Sequence, residues 1–95
     1  MNAEPIEPTS LKVGQVIQVT RRTPMMPTPE PKGGFNQILT LAAQAKQLTP
    51  GEAFEIAEVR DVAGRRWYRA ETEEGEPDRW VNAAALMGQQ LKVIG

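Results

Sequence analysis

Two tryptophans, Trp67 and Trp80, stand among four arginines, Arg65, Arg66, Arg69 and Arg79. Aromatic faces beside guanidinium groups can grip a peptide, or stack bases while cations meet the phosphates. The acids Glu71, Glu73, Glu74, Glu76 and Asp78 lie in the same stretch. They would repel phosphates, and they offer the arginines cross-strand ion pairs on a solvated face. The acidic turn lacks the alternate-position ligand spacing of a calcium loop, so no metal is assigned to it. The chain has neither cysteine nor histidine. Disulfides, thiolate chemistry, the common zinc sites and an imidazole proton shuttle are thereby excluded. Carboxylates, Lys, Tyr and hydroxyls remain, and no spacing among them spells a reaction. The expectation is a non-enzymatic chain with no catalytic residues, no metal and no cofactor.

These groups need strands to position them. Residues 53–62 alternate through Phe54 and Ile56, then shift phase to Ala57 and Val59, which predicts a bulge near Ala57 and Glu58. Ala63 and Gly64 form a turn, and residues 66–72 return as a strand. Trp67, Arg69 and Glu71 share one face of it, and Tyr68, Ala70 and Thr72 share the other. A small residue such as Ala70 suits a crowded interior. Tyr68 is therefore expected inside, and Trp67 outside, close to Trp80 and partly exposed. The competing reading is that both tryptophans simply pack, since the chain has only 2 Trp, 1 Tyr and 2 Phe. Residues 73–78 make a turn around Gly75, 79–82 a short strand, 83–87 one helical turn, and 90–94 a last strand.

The first half is less regular. Residues 1–10 carry Pro5 and Pro8 with few apolar groups and predict a disordered tail. Residues 15–20 alternate as a strand after a turn at Gly14. Residues 21–34 contain prolines 24, 27, 29 and 31, which predicts an exposed loop of polyproline-II character. Within it, Arg21, Pro24 and Pro27 fit a basic residue followed by two spaced prolines, the form of one peptide-ligand class, although a stiff loop needs no partner. Residues 35–48 hold the one helical signal, an apolar stripe through Ile38, Leu41, Ala42, Ala45 and Leu48. That stripe suits a helix covering an end of the sheet, or one docking a partner.

With 95 residues the chain is read as a disordered segment 1–10 and one domain over 11–95. Its net charge of −1 gives no global pull toward nucleic acid or anionic lipid. The N-terminus has acids where a signal peptide needs positive charge. No stretch approaches the roughly 18 apolar residues of a membrane span. A cytoplasmic location away from membranes is the expectation; a trimmed leader would leave the same sequence.

Short bent strands with one helical turn before the last resemble the Src-homology-3-like fold, including its bacterial variants. In that family the third strand carries an aromatic pair followed by alanine, as Trp67, Tyr68 and Ala70 stand here. Its fourth strand is similar to the run Arg79, Trp80, Val81, Asn82, and its diverging turn to residues 48–52. The resemblance implies a mainly β fold, a small five-stranded barrel, here with one inserted helix. In peptide-binding members the groove combines the first Trp of the pair with a proline and a tyrosine. Trp67 keeps the first element, Asn82 stands in the proline's place and Ala85 in the tyrosine's. The functional expectation is an interaction module that binds a peptide or protein through an exposed face of Trp67, Trp80, Arg65, Arg66, Arg69, Arg79 and Asn82. The alternative is a small nucleic-acid-binding barrel using the same tryptophans and arginines, and a third possibility is a small oligomeric enzyme.

Overall fold

The computed structural model describes residues 6–29, 37, 40 and 45–94. The chain is mainly β. Its strands are β1 (Val16–Gln18), β2 (Thr23–Met25), β3 (Lys46–Leu48), β4 (Ala53–Val62), β5 (Arg65–Ala70), β6 (Trp80–Asn82) and β7 (Lys92–Val93). A short helix, α1 (Ala83–Leu86), precedes β7. Five strands make an antiparallel sheet in the order β6-β5-β4-β1-β7, and β2 and β3 make a separate ribbon. The ladder from β6 to β7 is not closed on itself. Among the described residues the ribbon joins the sheet at one bridge, where Met26 and Trp80 exchange both backbone hydrogen bonds at 2.7 Å.

Strand β4 is long enough to serve two neighbours. Its first residues pair with β1, and from Ile56 onward it pairs with β5, with a register shift between Ile56 and Glu58. The predicted bulge lies there, and it supplies the bend that a doubly used strand requires. The β4–β5 turn has Ala63 at φ 52° and Gly64 at φ 79°. Two successive positive φ values define the tight hairpin that follows the twist of its strands, and Ala63 is a poor fit to it. Ala63→Asn should therefore raise stability by about 0.5–1 kcal/mol. Urea titration of the two proteins measures it.

Alternation places side chains in two apolar clusters. The larger contains Ile17, Val19, Phe54, Ile56, Tyr68, Ala70, Val81, Leu86 and Leu91. Tyr68 thus lies on the side of Ala70, as predicted. The smaller contains Met26, Trp67 and Trp80, flanked by Ala45 and Val62.

Three expectations need correction. The tail predicted over 1–10 is held from residue 6 onward. Ile6 packs against the larger cluster, and the Tyr68 hydroxyl donates to the Pro8 carbonyl at 2.5 Å while accepting the Leu11 amide at 3.3 Å. Arg66 donates to the Thr9 carbonyl at 2.7 Å. Sparse apolar composition missed these bonds because they recruit the backbone. The loop predicted over 21–34 contains β2, with Thr23, Met25 and Met26 buried. Met26 directs its amide to Trp80, so by strand alternation the position of Pro24 also faces away from β3. The amide that proline lacks is therefore not one the ribbon needs. Finally, in the helix predicted over 35–48, Gln37 and Thr40 are helical and most of the rest lies outside the described residues, but its last three residues form β3. Leu48 is buried across from Thr23. Pairing with β2 overrides the helical spacing there.

Candidate functional site

The predicted binding face comes together in part. Register sets Arg60 opposite Trp67 opposite Asn82, and Glu58 opposite Arg69 opposite Trp80. Trp67 does face away from Tyr68, yet it is only 4% exposed, and Trp80 only 3%. Met26, carried in by the bridge at the end of β2, covers both rings. The partly exposed tryptophan predicted at position 67 is therefore corrected to a buried one. Two apolar rings on the outside of a small sheet are stabilised more by a second cluster than by water.

The charged groups close the remaining gaps. The Arg60 guanidinium lies 4.7 Å from the centre of the Trp80 ring. It also donates to Glu58 at 2.6 Å, and Arg69 donates to the same carboxylate at 3.2 Å. Those bonds, Arg60 first and Arg69 second, hold the Glu58 carboxyl below its ordinary pKa. Arg66 sits opposite Asp61 and grips it through two bonds, at 2.9 and 3.1 Å. That grip lowers the Asp61 pKa and raises the Arg66 pKa. Arg79 donates to Glu76 at 3.2 Å. Arg65 is exposed at the start of β5. Asn82 is a helix cap, its side-chain oxygen accepting the Ala84 amide at 2.9 Å. Of the seven residues, the tryptophans are thus packed with Met26, Arg66, Arg69 and Arg79 are held by neighbouring carboxylates, and Asn82 is bonded to the backbone. The nucleic-acid alternative relied on the same rings, and neither ring has an open face on which a base could stack.

Set against protein-family models, curated proteins and solved structures, the chain finds no match.

Open surface lies beside the buried tryptophans. A cleft of about 330 Å³ runs between the β2–β3 ribbon and the turn before β6, lined by Met25, Pro27, Ala45, Lys46, Pro77, Asp78 and Arg79. A second, of about 240 Å³, shares Met25, Lys46 and Arg79 with it and continues past Glu55 and Glu71. Glu71 donates its backbone amide to the Glu55 carbonyl at 2.8 Å, which sets the two acidic residues side by side. Glu52, in the same cleft, is tied to Thr49 through its hydroxyl at 2.6 Å and its amide at 2.8 Å. Those bonds lower the Glu52 pKa, with a smaller contribution from Lys46. Sequence reading missed both clefts. Their walls come from distant segments, and Lys46 meets Arg79 only when β2 pairs with β3 and Met26 bridges to Trp80. Among the described residues, no group of three or more carboxylates has the arrangement to hold a metal ion, and no helix is long and apolar enough to cross a membrane.

Proposed function

We propose that the chain is a non-catalytic interaction module of Src-homology-3-like architecture that takes an extended peptide along the two joined clefts. The strand order β6-β5-β4-β1-β7, with a helical turn before β7, supports the architecture. The long excursion between β1 and β4 occupies the place where such modules carry their first large loop. In this reading the excursion covers the tryptophans and moves the docking surface to its own flank.

The observation that carries the reading is the continuity of the clefts through Met25, Lys46 and Arg79. Pro27, Pro77 and Met25 give the first cleft rigid apolar walls, suited to a proline or aliphatic side chain. Glu55 and Glu71 have no side-chain partner among the described residues, so they supply negative charge for a basic residue in the second. An apolar slot with a few convergent polar groups is the usual form of a recognition site.

The test is a titration of isotope-labelled protein with an acetylated, amidated peptide of alternating proline and leucine ending in arginine. Amide shifts should concentrate at Lys46, Glu55, Glu71 and Arg79. Glu71→Lys should weaken binding about fivefold, the size of one exposed charge pair, without lowering the melting temperature. Shifts confined to other surfaces, or an affinity indifferent to Glu71, would reject the reading.

A further inference from the structure

The two edges of the five-stranded sheet are treated differently. At β6 the edge is covered, because Trp80 exchanges backbone hydrogen bonds with Met26. At β7 no strand of the described residues lies on the outer side. Strand β7 pairs with β1 so that Ile17 faces Val93 and Gln18 faces Lys92, and the Ile94 amide donates to the Val16 carbonyl at 2.9 Å. Residues 92 and 94 therefore turn their backbone groups inward. By alternation Leu91 and Val93 turn theirs outward. The Val93 amide and carbonyl therefore point away from the sheet in an exposed stretch, with Val93 42% and Ile94 55% exposed, and the Leu91 groups point the same way from a residue whose side chain belongs to the larger cluster and which is 8% exposed.

We propose that this edge accepts an added strand from a partner chain, running antiparallel, with an acidic side chain opposite Lys92. The register follows from the free groups. A strand that uses both Leu91 and Val93 must place one residue directly across from Lys92. That position is the narrow, non-hydrogen-bonded one, where Cα atoms approach to about 4.5 Å and side chains are closest. A second copy of this chain in the same register would set Lys92 against Lys92 across a two-fold axis, which is unfavourable. A lysine on a sheet edge is a common guard against self-pairing. An Asp or Glu in the same place converts the guard into an attraction. Read in chain order, the partner needs an apolar residue opposite Ile94, another opposite Val93, then the acid.

Strand β1 already meets the first two requirements on the inner side, where Val16, Ile17 and Gln18 face Ile94, Val93 and Lys92. A synthetic probe follows: an acetylated, amidated hexapeptide with the sequence of residues 15–20 carrying Gln18→Glu, and a control carrying Gln18→Lys. The glutamate peptide should shift the amides of Leu91 and Val93 and slow exchange of the Val93 amide. It should bind about fivefold tighter than the lysine peptide, and Lys92→Glu in the protein should reverse that order. Val93→Pro removes an outward amide while sparing the bonds to β1, so it should abolish binding and leave the β1 and β4 amide shifts in place. Several results would overturn the proposal: no change at residues 91–94 with millimolar peptide, a preference unaltered by Lys92→Glu, or exchange changes centred on Phe54, which would mean the probe displaces β1. A dimer at micromolar concentration that Val93→Pro dissolves would make a second copy the occupant instead.

Discussion

Trp67→Ala should cost about 3–5 kcal/mol, the range for truncating a buried aromatic. A small domain has roughly 5–15 kcal/mol in all, so the variant should lose a large share of its stability. The ring is 4% exposed, and Met26, Trp80 and Val62 surround it. Its loss opens a cavity where the β2–β3 ribbon meets the sheet, and among the described residues that junction has a single bridge of backbone bonds. The ribbon should loosen first, so amide exchange at Met26 should accelerate more than exchange at Phe54. Trp67→Phe, which keeps most of the apolar contact, should lose much less. Urea titrations of the three proteins measure the series. A loss under about 1 kcal/mol for Trp67→Ala would place the ring outside any core.

Tyr68→Phe should cost about 2–3 kcal/mol although the ring is retained. The hydroxyl is both donor to the Pro8 carbonyl and acceptor of the Leu11 amide. Removing it leaves two backbone groups beside a buried cluster without partners, at roughly 1–3 kcal/mol for each one that water cannot reach. The segment around residues 6–11 should become the first site of proteolytic cutting, and exchange of the Leu11 amide should rise. Burial raises the Tyr68 pKa, against smaller lowering effects from Leu11 and Arg66. For an acid with a raised folded pKa, the stabilisation is present below the ordinary tyrosine value of about 10 and is lost as pH rises through the folded one. Alkaline titration should release the N-terminal segment in the wild type and have little further effect in Tyr68→Phe.

Strand structure was legible wherever the local pattern had a single solution. The alternation in 53–62, its phase shift at Ala57, the turn at Ala63 and Gly64, and the opposed faces of Trp67 and Tyr68 can all be read within a few residues. So can the helical turn after residue 82, although its cap, Asn82, was assigned to the binding face. What was not legible depends on distant partners. Alternation states that Trp67 points away from Tyr68, but it cannot state whether that side is covered, and the cover arrives from Met26. Spacing made Leu48 the end of a helical stripe, whereas its strand form follows from pairing with Thr23. The prolines argued against a strand at Pro24, and only the direction of the Met26 amide shows why one is tolerated. The candidate clefts failed to register for the same reason, since Pro27, Lys46 and Arg79 are neighbours only after the ribbon forms. Arg79 was singled out for its nearness to Trp80, and it does line a cleft, but with Lys46 and Pro77 as its companions.

Strand β1 lies between β4 and β7 in the sheet, and this order constrains how the protein can be made. During synthesis β1 emerges first, while its partners Lys92, Val93 and Ile94 emerge about seventy-five positions later. Gln89 belongs to the same late group: it accepts the Thr20 amide at 3.0 Å and donates to the Thr23 hydroxyl at 2.9 Å. A nascent chain can form the β4–β5 hairpin on its own, but β1 stays half paired and the larger cluster stays open on one side until residue 94 is available. Contacts this distant in sequence also delay folding, since the intervening chain must be closed into a loop before they can form. Through that interval the apolar faces of Ile17, Phe54 and Ile56 are accessible to water and to other chains, so the time before β7 pairs is the most aggregation-prone stage of folding.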